Sequence, residues 1–147
     1  MSEELITTAQ VVLGNNFAMY FKSHSYHWNV EGINFGELHG FFGSIYEDLH
    51  DTVDTAAEEI RALGEYAPCC LAEMSKYSTI KEDVSRPLSA KQMLSNLQEA
   101  NNEVIESLNK LFDVATKEKK QGLADFAAGR LDAHAKHGWM LSSYLKG

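Results

Sequence analysis

His27-Trp28-Asn29-Val30-Glu31-Gly32-Ile33-Asn34-Phe35-Gly36-Glu37-Leu38-His39 decides the fold of this chain, together with Asp54-Thr55-Ala56-Ala57-Glu58 further on. Gly32 and Asn34 mark a short turn, with His27 and His39 six residues either side of its centre. Upstream, Ile6, Ala9, Leu13, Phe17, Tyr20, His24 and then His27 or Trp28 recur at helical spacing, so a first helix runs from Leu5 to about Val30. Downstream, Asn34 with Glu37 reads as a capping box, and Leu38, Phe42, Ile45, Leu49, Val53, Ala56, Ile60 and Leu63 carry a second helix to a closing Gly64. Helices joined by so short a turn are antiparallel, which puts His27 beside His39.

Asp54 and Glu58 share one face of the second helix, one turn apart. Imidazole nitrogens and carboxylate oxygens together bind iron while leaving coordination positions open. Yet His39 and Asp54 on one straight helix are about 22 Å apart along its axis, at about 1.5 Å per residue. No single ion bridges that, so the carboxylates have to meet the histidines of another copy of the chain. A two-fold pair of antiparallel second helices achieves it and creates two equivalent sites per dimer. Its axis passes near Glu47 and Asp48, flanked by Gly36, Gly40, Gly43, Ser44, Thr52, Thr55 and Ala56, small residues that allow close approach.

The rest of the chain completes an all-α, four-helix bundle. Residues 65–88 hold both prolines and only a short helical piece at Leu71 to Lys76, and a stretch of that length reads as the long crossover of a bundle. A capping box at Ser89 and Gln92 opens the third long helix, with Met93, Leu97, Ala100, Val104, Leu108, Leu111 and Ala115 inward and Lys117, Lys119 and Lys120 at its end. Gly122 is expected to break the pattern before a fourth, with Leu123, Ala127, Leu131, Ala135, Leu141 and Leu145 on its apolar stripe. Residues 1–147 are expected to form one domain.

Composition narrows function by exclusion. A formal charge of −8, from 21 acidic against 13 basic residues, repels nucleic acid and attracts cations, so DNA binding is not expected. No run of about 18 apolar residues offers a membrane span, and the first residues lack a signal-peptide pattern, so a cytoplasmic location without membrane contact is expected. Cys69 and Cys70 are adjacent and are not expected to form a structural bridge. Phosphate loops, nucleophile elbows and Cys-x-x-Cys pairs are absent.

The segment His27-Trp28-Asn29-Val30-Glu31-Gly32-x-x-Phe35-x-x-Leu38-His39-x-x-Phe42, then Asp54-x-x-x-Glu58-x-Ile60-x-x-Leu63-Gly64 and Lys136-His137-x-Trp139-Met140, resembles the signature of the Dps family. These are the miniferritins of the ferritin-like superfamily, and the likeness covers essentially the whole chain. It implies a hollow dodecamer of four-helix bundles built from two-fold dimers. It also implies a ferroxidase that oxidises Fe(II) at inter-subunit di-iron sites, with hydrogen peroxide preferred over O2, and stores the ferric product, protecting against oxidative damage. Carried over, His27 and His39 are the histidine ligands and Asp54 and Glu58 the carboxylate ligands of the neighbouring subunit. Asp125 matches an acid of the family's three-fold iron-entry pores, with Glu118 and Asp132 as weaker candidates.

Two departures from the family matter. Where many members carry an acid one turn after the second histidine, this chain has Gly43, and the Lys-rich N-terminal extension of DNA-binding members is missing. His50, one turn before Asp54 on its face, is a candidate substitute ligand. Trp28 lies near the site, chiefly as a packing residue that could also intercept one-electron oxidants, while His24, His134 and His137 read as packing or surface histidines. The competing readings are a non-catalytic DNA-shielding cage and a bundle with a structural zinc site, zinc being a possible substitute for iron.

Overall fold

In the computed structural model, which describes residues 2–147, the chain is all-helical: α1 (Glu3–Asn29), α2 (Phe35–Ala62), α3 (Leu71–Lys76), α4 (Ala90–Lys117) and α5 (Gln121–Leu145). The four long helices form a bundle of two antiparallel hairpins. α1 packs on α2, α4 on α5, and α1 on α4. No helix among the described residues is long and apolar enough to cross a membrane.

Local chemistry accounts for most of the boundaries. Ser2 caps α1, its hydroxyl accepting from the Leu5 amide at 3.1 Å, and Glu3 and Glu4 stand at the positive end of the helix dipole. The Ser89–Gln92 capping box forms in both directions. Past α2, Gly64 takes φ +98°, and the amides of Gly64 and Glu65 reach back to the carbonyls of Arg61 and Ile60, the double bond that ends helices at a left-handed residue.

Three expectations about helix ends and the face of α5 are corrected. Asn34 precedes α2 but makes no side-chain cap bond. The break between α4 and α5 falls at Lys119, not Gly122. Lys119 itself adopts φ 59°, with the amides of Lys119 and Lys120 returning to Thr116 and Ala115, while Gly122 lies inside the first turn of α5. A non-glycine residue there costs about 1–2 kcal/mol of left-handed strain. The third correction is Ala135, which is exposed; His134 and His137 take the inward positions in the middle of α5.

The core runs the full length of the bundle, from Leu5, Leu13 and Met19 through Phe42, Ile45 and Leu49 to Leu97, Leu108, Leu111 and Leu141. In α1 Ala9 and Leu13 are buried as expected, but Leu5, Val12, Asn16, Met19, Ser23 and Tyr26 complete the buried stripe in place of Ile6, Phe17, Tyr20, His24 and His27. Phe17, Tyr20, His24 and Trp28 instead pair with one another on a second, outward face, where Tyr20 meets Tyr46 and His50 of α2, His24 meets Tyr46, and Trp28 is 56% exposed.

The crossover lies against α1 and is held there by polar anchors. Asn15, fully buried, accepts from the Thr79 amide at 2.7 Å, and Asp83 accepts from the Tyr26 hydroxyl at 2.6 Å and pairs with buried Lys22 at 3.3 Å. Burial and that hydrogen bond to Asp83 push the Tyr26 hydroxyl well above its ordinary pKa. At Gly14 the two backbones touch: a Cβ there would meet Tyr77 Cβ at 2.6 Å and the Tyr77 carbonyl carbon at 2.7 Å. Gly14→Ala is therefore expected to cost at least about 1–3 kcal/mol, because a backbone segment has to move. Chemical denaturation shows it as a lower midpoint; an unchanged midpoint would mean the crossover sits loosely on α1.

Candidate metal centre

His27 ends α1 and His39 begins α2, and the short turn with Gly32 at φ +117° brings them together. Their rings stack with centroids 3.7 Å apart and planes 18° from parallel. His27 Nδ1 lies 2.6 Å from the carbonyl oxygen of His39, and His39 Nδ1 lies 2.7 Å from the carbonyl oxygen of His27. A carbonyl oxygen only accepts, so each Nδ1 carries a proton and donates it. In the neutral rings the lone pairs then belong to Nε2, the arrangement in which histidines are oriented and made good ligands.

Packing restricts the pair further. Phe35 stacks on His39 at 5.0 Å and Tyr46 meets His27 edge-on at 5.1 Å. Gly43 is buried beneath His27, and a Cβ at Gly43 would stand 3.1 Å from His27 Nδ1 and 3.3 Å from Cε1. The His27 ring thus occupies the space that any side chain at 43 would enter.

Around this pair lies an aromatic face. His24 stacks on Tyr46 at 3.8 Å and 6° and leans on Trp28 at 4.2 Å. The Tyr20 hydroxyl is hydrogen-bonded to His24 Nδ1 at 3.0 Å, and the Tyr20 ring meets the ring of His50 with centroids 5.3 Å apart. Burial, then the nearby imidazoles of His27 and His50, lower the pKa of His24. Periodicity in the sequence pointed to His24 as packing; it did not single out Tyr46, whose role depends on which α1 residue lies across from it.

Asp54 and Glu58 are exposed on α2. Among the described residues no three His, Cys, Asp or Glu side chains of one chain converge on a metal position. His27 and His39 are brought together; Asp54 and Glu58 are not brought to them within the chain. His50 is exposed on the face of α2 that carries Asp54, and Asp125 is exposed near the start of α5. Of the weaker pore candidates, Glu118 accepts from the Ser2 hydroxyl and amide and Asp132 pairs with Lys136 at 3.4 Å. Cys69 and Cys70 are both exposed.

A buried polar cluster behind α2 was not anticipated as a unit. Asp48 accepts from both Arg130 terminal nitrogens at 2.9 and 2.6 Å and from His137 Nε2 at 2.8 Å. Burial alone would raise the Asp48 carboxyl, but hydrogen bonds from His137 and Arg130 and their charges outweigh it and hold it well below the carboxylate range. His134, fully buried, donates Nδ1–H to Asn101 at 2.7 Å and accepts from Arg130 at 3.3 Å. Burial and then the Arg130 charge lower it to about 3, so it is neutral at pH 7. The cluster ties α2 to α5 and α5 to α4. A lone Asp in the middle of an amphipathic helix gives no hint of such partners.

Known proteins agree with this architecture. The ferritin family profile, a ferritin-like domain, matches residues 10–147. The chain is 32% identical over 136 residues, 92% of its length and 76% of the relative's, to a low temperature-induced protein of Nostoc. To the DNA protection during starvation protein of Brevibacillus brevis it is 31% identical over 134 residues, 91% of this chain and 89% of that one. The solved structure of Dps from Staphylococcus aureus superposes with a TM-score of 0.90 at 30% identity, covering 96% of this chain and 94% of the other. With the profile running to the last residue and a Dps fold matched along nearly the whole chain, the protein belongs to the ferritin-like family and, within it, to the Dps proteins.

Proposed function

We propose that this protein stores iron and protects against oxidative damage as a ferroxidase. Two ferrous ions bind where His27 and His39 of one subunit meet Asp54 and Glu58 of its two-fold neighbour, in a hollow dodecamer that keeps the ferric product. The observation that carries this reading is the reciprocal Nδ1 lock, which leaves the Nε2 lone pairs of two stacked, half-buried imidazoles free. A packing pair has no need of this; a metal site does. The separation of the carboxylates along α2 supports a site completed between subunits, not inside one bundle.

Ferrous iron is the substrate, and the chemistry is electron transfer to an oxidant held nearby. Each Fe(II) gives one electron, and hydrogen peroxide with two protons becomes two waters, so paired oxidation releases no hydroxyl radical. The imidazoles bind without adding charge, while Asp54 and Glu58 offset the repulsion of two cations held a few ångströms apart. Phe35 and Tyr46 pack against the histidine pair and restrict its rings, while Trp28 leans on neighbouring His24. Exposed Asp125 is assigned to cation entry, since rings of carboxylates draw cations through narrow aqueous paths.

Anaerobic ferrous titration of the purified assembly, followed by a peroxide pulse, tests the reading. Saturable binding and oxidation of about two iron per peroxide are expected. Oxidation no faster than in protein-free buffer refutes it.

Relatives are named for DNA protection, and in this chain protection is assigned to removing iron and peroxide, not to coating DNA. A formal charge of −8 per subunit opposes phosphate contact. Gel shifts at low salt are expected to show no retardation near neutral pH; a complex that salt dissolves would reveal a basic patch engaging DNA.

A further inference from the structure

Tyr20 and His24 form a hydrogen-bonded phenol–imidazole pair one turn apart on α1, with 3.0 Å between the hydroxyl oxygen and Nδ1. The pair is half-buried and is joined to His27 by ring contacts. His24 stacks on Tyr46 with centroids 3.8 Å apart and planes 6° from parallel, and these two rings meet the ring of His27 at 6.0 and 5.1 Å. The Tyr20 ring lies 5.6 Å from His24 and 6.3 Å from Tyr46.

Three rings in this group can give up an electron: Tyr20, Tyr46 and Trp28. Among the described residues, only Tyr20 is hydrogen-bonded to a base. A phenol that loses an electron must also shed its proton, and an imidazole nitrogen already at the hydroxyl receives it directly. Trp28 lies 4.2 Å from His24 but is 56% exposed, so an oxidised indole there stands in water.

Paired ferrous oxidation has no use for such a ring; a half-loaded site does. One Fe(II) gives hydrogen peroxide a single electron, which leaves Fe(III), hydroxide and one oxidising equivalent with no second ion to reduce it. We propose that Tyr20, with His24 as its proton acceptor, supplies the missing electron and holds the oxidising equivalent until a second ferrous ion arrives. This rests on the ferroxidase reading. In the first step Fe(II), hydrogen peroxide and the Tyr20 hydroxyl give Fe(III), hydroxide, water and the Tyr20 phenoxyl radical. The electron crosses His24 and Tyr46 to the site, the hydroxyl proton moves to His24 Nδ1, and solvent supplies the proton that completes the water. In the second step a further Fe(II) returns the electron and His24 returns the proton, which restores both side chains. The sum equals paired oxidation, and no hydroxyl radical is released.

The test loads the assembled full-length protein, without oxygen, with one ferrous equivalent per site, adds peroxide, and freezes samples for electron paramagnetic resonance. Wild type is expected to give a tyrosyl signal that narrows with ring-deuterated tyrosine and that a second ferrous equivalent quenches. Tyr20→Phe keeps the ring and should abolish the signal, whereas Trp28→Phe should leave it in place. His24→Gln keeps a hydrogen-bond acceptor that takes up no proton; since a positioned base is worth on the order of 100-fold or more, the yield should fall at least about 10-fold. A signal that survives Tyr20→Phe, an indolyl signal lost with Trp28→Phe, or an undiminished yield in His24→Gln overturns the proposal. Iron oxidised in wild type without a tyrosyl signal overturns it as well. If wild type oxidises no iron even with two equivalents per site, it is the ferroxidase reading that fails, and that outcome is separable from the others.

Discussion

His39→Ala abolishes fast, peroxide-driven ferrous oxidation while the shell still assembles. His39 supplies one of the two stacked Nε2 atoms, and its Nδ1–H also holds the His27 carbonyl and so the end of α1. Losing groups that merely orient a ligand costs about 10–100-fold in metal affinity or activity, so losing the ligand should cost on the order of 100-fold or more. Glu58→Gln separates ligation from packing. It keeps the size of an exposed side chain and removes the charge that offsets two cations, and the oxidation rate should again fall with helicity and sedimentation unchanged. Single-turnover kinetics after anaerobic loading measure both. Wild-type rates in the two variants would return these residues to ordinary surface and packing roles. An isolated monomer oxidising iron at full rate would place the site within one chain.

Mild acid is the second large effect. His134 is lowered to about 3 in the fold against about 6.5 when unfolded. Between those values the unfolded chain binds a proton that the folded chain refuses, so stability is full above about 6.5 and falls as pH drops toward 3. At about 1.36 kcal/mol per pH unit the loss across that window is on the order of 5 kcal/mol. Asp48 acts in the same direction lower down: its folded pKa is depressed, so its contribution is present above about 3.9 and is lost as pH falls below that value. Denaturation midpoints at fixed protein concentration from pH 8 to pH 4 should therefore slope downward in wild type. His134→Asn keeps a donor for Asn101 but cannot titrate, so its midpoint should start lower and stay flatter between pH 6.5 and 4. Parallel curves would show that another group carries the acid sensitivity.

Most of the fold was legible in the residues because its signals are local. The inward stripes of α2 and α4, the Ser89 capping box, the left-handed Gly64 and the six-residue α3 each follow from side chains within one or two turns of one another. The failures have a common cause. Glycine's usual role as a helix terminator pointed to Gly122, but the chain turns at Lys119, a position chosen by where α4 has to end against α5. Ala135 looked apolar and inward, yet Asp48 and Asn101 on neighbouring helices draw His134 and His137 inward and turn it to solvent. Beyond Ala9 and Leu13 the stripe of α1 was displaced, because Tyr20 and His24 serve the face beside the histidine pair and not the core.

By itself, then, the sequence determined an all-helical bundle with one long crossover and a histidine pair across a tight turn, since helical periodicity, caps and a short hairpin are properties of neighbours along the chain. It also determined that Asp54 and Glu58 stand too far from His39 for one chain to complete a site, because a straight helix fixes its own axial distances. Tertiary structure alone decided which ring nitrogens of His27 and His39 are free, since that depends on two carbonyl oxygens twelve residues away. It likewise decided that Gly14 is where the crossover touches α1, that His27 fills the space over Gly43, and that Asp48 is a half-buried carboxylate held by Arg130 and His137. Each of these depends on contacts between residues distant in sequence, and such contacts exist only once the helices have packed.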